Sequence, residues 1–485
     1  MKLWSVVFLL TLAHAASAQA PPAVPRVKVS VAPIVGVIDS AELASFVDPL
    51  ITAQMAKENI PGAVFVLVRD GKILYQRGYG FANVARRQPV DPEKTIWRIG
   101  SISKVFTATA IVQLADRGRF QLTDDVNSYL TRFKVPATFS EPVTFQHLLT
   151  HTAGFDEIRP GTRADNAAGV LPLGDFLSSK LIRLRPPGLT ISYSTYGVTL
   201  GGYLVEQVSG MEFETYLARN IWGPLGMDRS NIVVPASLRA DLAQGYEYEN
   251  GVNKLADWEW YHTTPASSIN ASAADMGRFI IAHLQNGRYR DSRIMSASAA
   301  LEMHRQHATS HSGLAGFAYG FYEEFANGER LLEHGGNVEG FSAQLTLIPA
   351  RGIGFFIASQ HEPARLRDVV QSALLDHYFP AKREPRRAVP MAGYRERAPR
   401  FAGTYELNQF CHTCGTGRRE YPRIEVKANA DGTISITGNP QPLVEVSPLF
   451  FRRVTGTGAA VFREDPSGRI TLLAGDSWMV FERIK

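Results

Sequence analysis

Between Ser101 and Leu114 the chain carries a helical stretch with almost no polar face, running through Val105, Phe106, Ala110, Ile111, Val112 and Leu114. A helix on the surface of a globular protein keeps its apolar residues to one stripe; a helix apolar nearly all round has to be enclosed by other elements. This segment therefore demands a layered domain with itself at the centre. Gly118 is its expected C-terminal stop.

The flanking patterns show how that layering is built. Asp39 or Ser40 caps a helix to about Asn59, with Leu43, Phe46, Val47, Leu50, Ile51 and Met55 on one face. A hairpin follows: Ala63 to Val68, the Asp70-Gly71 turn, then Ile73 to Tyr79. From Ser101 to about Gly287 the patterns are mostly helical, broken by loops near Arg159–Thr162 and Arg185–Gly188. Phe341–Ile348 and Ile353–Ser359 form a second hairpin, and a helix runs from about Pro363 to Tyr378. Helix and hairpin at the start thus mirror hairpin and helix at the end. The expectation is an α/β (α+β) domain over 39–380: an antiparallel sheet assembled from both ends, flanked by helices, with an inserted helical lobe. Residues 401–485 change character, with short strand-like runs between turn signals such as Asp431-Gly432, Ser467-Gly468 and Gly475-Asp476. They predict a small C-terminal all-β barrel-like domain.

Charge and composition remove several function classes. The net charge of +5 has a local source, because residues 381–400 carry seven basic and two acidic side chains. That short stretch reads first as a solvated linker, so no nucleic-acid partner is expected. At the N-terminus Lys2, the apolar run Leu3–Leu12 and Ala16-Ser17-Ala18 match a signal peptide over 1–18, followed by an extended leader over 19–38. The run is about half the ~20 residues needed to span a bilayer, so the expectation is export, periplasmic or secreted, with no membrane span. Cys411 and Cys414 are the only cysteines. Zinc needs about four ligands, and an exported chain favours a local disulfide, with free thiols, or metal or redox chemistry, as the alternatives.

The candidate chemistry starts at Ser101-Ile102-Ser103-Lys104. A serine hydroxyl needs a base to become a nucleophile. In the first turn of a helix, positions i and i+3 share a face, so the Lys104 amine can reach the Ser101 oxygen. The helix start offers a backbone N–H to a developing oxyanion, and a desolvated lysine has a lowered pKa and can act as base. S-x-x-K alone is weak, since about one or two are expected by chance in a chain this long. This one is unique in the chain and opens its most apolar helix.

Ile99-Gly100-Ser101-Ile102-Ser103-Lys104 followed by Val105-Phe106-Thr107-Ala108 resembles the first motif of the serine β-lactamase and penicillin-binding-protein superfamily, in its class C-like branch. That branch includes D-aminopeptidases, DD-carboxypeptidases and family VIII-type esterases. Three further stretches resemble it in order: His147-Leu148-Leu149-Thr150-His151-Thr152-Ala153-Gly154-Phe155, then Tyr193-Ser194-Thr195, then His334-Gly335-Gly336.

The resemblance implies Ser101 as nucleophile, Lys104 as its base, Tyr193 as second acid/base group and His334 as electrostatic support or proton relay. Tyr193 would need positive charge from Lys104 and His334 to work near neutrality. The oxyanion hole would be the N–H groups of Ser101 and Asn337, with Thr195, Gly335 and Gly336 lining the substrate site. No metal or cofactor is called for; His147 and His151, four apart, read as structural. Thr195 stands where the family has asparagine, and His334 where many lactamases have lysine. Both changes lean from β-lactams toward small esters, D-amino-acid amides or peptides. The expected partner is a small-molecule or peptide substrate, and the alternative function is a sensor that is acylated without turnover.

Overall fold

The computed structural model describes residues 39–158, 161–362, 364–381, 387–409, 411–414, 422–438 and 441–484. The expected signal peptide and leader lie outside the described residues. The helix Ser40–Glu58 is capped by the Asp39 carboxylate, which accepts the N–H groups of Ala41 and Glu42. It ends at Asn59 in the left-handed conformation.

A nine-stranded antiparallel sheet joins the two ends of the domain. The strand Gly62–Arg69 pairs with Lys72–Asn83 on one side and with Ile353–Gln360 on the other, in the register Val64↔Ala358 and Val66↔Phe356. Phe341–Ile348, Glu329–Val338 and Tyr322–Ala326 continue it outward. Strand residues alternate faces, and the sheet is covered on both. Val64, Val66 and Val68 enter one core with Phe106 and Phe279. Ala63, Phe65 and Leu67 enter a second core with Leu43, Val47, Leu366 and Val370. The helices Ser40–Glu58 and Leu366–Tyr378 therefore cover one face, and Ala273–Leu284 covers the other.

The helix predicted to be enclosed is enclosed: Ser103 through Leu114 are all buried. It starts two residues later than its pattern indicates, because Gly100–Ile102 form a tight 3₁₀ turn before the α-helix Ser103–Asp116. Ser101 thus sits on a turn, and Lys104 in the first α-helical turn. The last helix begins at Leu366, not near Pro363, which lies outside the described residues. The sequence pattern gave no strand at Glu329–Val338, where Glu333, His334 and two glycines interrupt the apolar run.

Eight strands, from Gly403–Leu407 to Val480–Arg483, form a closed barrel around Phe401, Tyr405, Phe451 and Phe462. The described part of the basic stretch is not a free solvated linker. Arg397 pairs with the buried Glu445, Arg400 with Glu464, and Ala398 and Phe401 are buried in the barrel core. Two of its charges are thus paired with barrel carboxylates. Cys411 and Cys414 are joined in a disulfide. Among the described residues no helix is long and apolar enough to cross a membrane.

Candidate active site

The 3₁₀ turn at Gly100–Ile102 abuts the strand Glu329–Val338, and two glycines permit it. A Cβ on Gly336 would lie 1.9 Å from the Ile99 carbonyl oxygen. Gly100 has φ +52°, and a Cβ there would meet the Asn337 backbone nitrogen at 2.9 Å. The backbones of turn and strand are therefore in contact beside the Ser101 N–H.

The strand also aims its amides. The Gly335 N–H donates to the Tyr322 hydroxyl at 2.8 Å. Successive N–H groups alternate sides of a strand, so the Asn337 N–H faces the same side as that of Gly335. The Asn337 side chain is engaged elsewhere, its Oδ1 accepting from Arg367 Nη1 at 2.9 Å and Ser342 Oγ at 3.0 Å. The Asn337 side-chain oxygen is thus already engaged.

Lys104 Nζ donates to Ser101 Oγ and to the Ala266 carbonyl, each at 2.9 Å. The lysine is 1% exposed, and burial pulls its amine down to about 7, against the opposing field of the Glu157 carboxylate. Tyr193 hydrogen-bonds the Ser101 side chain, and burial holds its phenol well above the ordinary tyrosine range. Its ring stacks on His151 with centroids 4.3 Å apart, and the Lys104 ammonium lies 5.0 Å from its centroid.

His334 shares this neighbourhood, its ring 6.1 Å from that of Tyr193. Burial and the Lys104 charge depress its imidazole to about 3. Its Nδ1 bonds the Gly335 carbonyl at 2.7 Å, while Nε2 is buried with no protein partner among the described residues. The imidazole is neutral at working pH, so it supplies a hydrogen-bonding nitrogen and not the positive charge expected of it. Among the described residues Tyr193 likewise meets no second cation, and burial keeps it a phenol.

Thr195 opens the helix Thr195–Ser209; its N–H donates to Glu157 Oε2 at 2.8 Å. The structure therefore gathers Ser101, Lys104, Tyr193, His334 and the Gly335–Asn337 backbone at one place, with Thr195 two residues from Tyr193.

Several neighbours of the site were not read as part of it from sequence. His151 has a left-handed backbone (φ 56°), accepts the Ser194 N–H at 3.0 Å, and forms the floor under Tyr193. Its motif was visible, but its contact was not. Glu157 follows that motif by two residues and carried no signal of its own. Tyr322 and Trp478 come from distant elements, and local spacing cannot report them. His147 is used locally, its Nδ1 accepting from the Thr144 N–H at 3.2 Å.

The chain matches the Beta-lactamase family model over residues 47–377. It is similar to Protein flp of Staphylococcus aureus (strain N315), with 25% identity over 320 residues, 64% of this chain and 62% of that protein. It thus spans less than two thirds of that relative's length. It is also similar to Penicillin-binding protein 4 of Amycolatopsis lactamdurans, 28% identical over 313 residues, 62% of this chain and 81% of that one. A solved structure of an octameric penicillin-binding protein homologue from Pyrococcus abyssi aligns with a TM-score of 0.60 at 26% identity, covering 92% of this chain and 100% of that one.

Proposed function

Since the chain belongs to the Beta-lactamase family and has its serine hydrolase fold, we propose that it is an exported hydrolase that cleaves an ester or amide through an acyl-enzyme on Ser101. One observation carries the reading: the Lys104 amine, held at about 7, lies 2.9 Å from Ser101 Oγ.

Lys104 as free base takes the hydroxyl proton while Ser101 Oγ attacks the carbonyl carbon. The carbonyl oxygen gathers charge between the N–H groups of Ser101 and Asn337. Tyr193, a neutral phenol bonded to Ser101, donates a proton to the departing oxygen or nitrogen and recovers it through Lys104. Water attacks the acyl-serine by the same route in reverse.

The electrostatics do not favour a substrate carboxylate. His334 is neutral, and Lys104 carries only part of a charge near neutrality, so no fixed cation of the proton-transfer set meets a substrate carboxylate. Small esters, D-amino-acid amides and peptides lead the substrate classes, and the relatives' name keeps β-lactams among those to be assayed. Purified protein is mixed with p-nitrophenyl butyrate, a D-alanine amide and a chromogenic cephalosporin, beside Ser101→Ala. Ser101-dependent product release supports the reading; a stable adduct without release converts it to a sensor.

A further inference from the structure

The barrel brings an aromatic side chain to the site. Trp478 lies in the turn between the strands Ile470–Gly475 and Val480–Arg483 and is half-buried. Its ring centroid is 5.4 Å from that of Tyr193, 5.7 Å from Tyr322 and 5.6 Å from Phe317. It therefore touches both walls of the site: Tyr193, which bonds the nucleophile, and Tyr322, whose hydroxyl holds the Gly335 N–H.

Its position is fixed from both sides of the seam. Asn408 Nδ2 donates to the Ile191 carbonyl at 2.9 Å, its own carbonyl accepts from Ser192 Oγ at 3.3 Å, and its N–H donates to the Val480 carbonyl at 2.9 Å. One barrel asparagine thus ties the residues just before Tyr193 to the residue two beyond Trp478. Below the seam, Phe317, Leu314 and Ile191 pack against Phe450, Val461 and Val480. An aromatic ring held in this way, with part of its surface left open, is a preformed binding wall.

Which part of a substrate meets that wall follows from the reaction, and this step rests on the acyl-serine reading above. Tyr193 is the group that protonates the atom that departs, so whatever leans on Tyr193 stands beside the leaving group and away from the acyl chain. We infer that Trp478 is a specificity-determining residue that receives an uncharged, planar or bulky apolar leaving group, making the barrel half of the substrate pocket.

Two esters with one acyl group, 1-naphthyl butyrate and methyl butyrate, separate the possibilities. The full chain is compared with Trp478→Ala, Trp478→Phe and Ser101→Ala, with a fluorophosphonate probe confirming a folded, reactive Ser101 in each Trp478 variant. Trp478→Ala is expected to lower the naphthyl-over-methyl ratio of kcat/KM about tenfold, with Trp478→Phe restoring most of it. Deacylation, which begins after the leaving group has gone, should proceed at the wild-type rate in single-turnover decay of the butyryl adduct. Equal losses on both esters, or slowed adduct decay, would overturn the assignment of Trp478 alone. Turnover that survives Ser101→Ala, or none of either ester by wild type, would overturn the acyl-serine reading and this assignment with it.

Discussion

Lys104 as a free amine has two hydrogens and one lone pair, and its surroundings assign them. The Ala266 carbonyl can only accept, so it takes one hydrogen; the second hydrogen and the lone pair remain on the Ser101 side, where the lone pair can take the hydroxyl proton as Ser101 attacks. A lysine held at about 7 reaches this form as pH rises through neutrality. kcat/KM should therefore climb through an acid limb near pH 7 and stay high above it, since His334, at about 3, is already neutral and adds no second limb. A pH–rate profile checks this; an acid limb near 5 would remove Lys104 from the base role. The strand's approach to the turn gives a second expectation at this scale. Gly336→Ala would place a Cβ 1.9 Å from the Ile99 carbonyl, and backbone on both sides has to move. A misplacement of about 1 Å costs on the order of 10²-fold in rate, so kcat should fall at least that far in steady-state assays, with the protein still folded by circular dichroism. The Ser101–Lys104 pair was legible in sequence because its reach is set by helical spacing. The neutrality of His334 was not, because it follows from burial and from the charge of Lys104, which lies 230 residues away in the chain.

Among the elements, the seam between the 151–193 segment and the barrel is held by a charged clasp. Asp156 accepts the N–H groups of His412 and Thr413 at 2.8 and 3.1 Å, and Arg185 pairs with Glu482, which also faces His412. Burial alone would raise both carboxyls, but these hydrogen bonds and charges outweigh it and hold Asp156 and Glu482 each at about 2, while His412 is raised. The signs differ. A depressed carboxyl stabilises the fold above its unfolded pKa of about 4 and loses that contribution as pH falls toward 2. A raised histidine stabilises fully below about 6.5 and loses it as pH climbs through its folded value. The clasp is firmest between roughly pH 4.5 and 6.5. Asp156→Asn should remove about 2 kcal/mol of acid-sensitive stability, so its Tm should fall less steeply than wild type from pH 4.5 to 2.5 in thermal melts. Parallel slopes would contradict the clasp. The paired hairpins and the enclosed helix were legible because their periods are local. The strand Glu329–Val338 was legible only through the resemblance of His334-Gly335-Gly336 to a strand element, because its glycines, required by contact with the Ile99 turn, break the apolar alternation that marks strands.

At the scale of the whole molecule, the barrel and the hydrolase body share an apolar cluster in which Ile191, Leu314 and Phe317 pack with Phe450, Ala459, Val461 and Val480. Its exposure would leave the Tyr193 segment unsupported. The described body should therefore unfold in a single calorimetric transition, and two resolved transitions would show that the barrel folds and melts apart. A β-rich C-terminal module was readable from the turn spacing of 401–485; its seat against Tyr193 was not, since no local pattern encodes which surfaces meet. The central claim, a covalent acyl-Ser101 intermediate, is tested most directly by intact mass during turnover of p-nitrophenyl butyrate. The account predicts a transient gain of one butyryl group, localised to the peptide containing Ser101, that decays with product release and is absent in Ser101→Ala. Turnover with no adduct under acid quench, or an unchanged rate in Ser101→Ala, would contradict it.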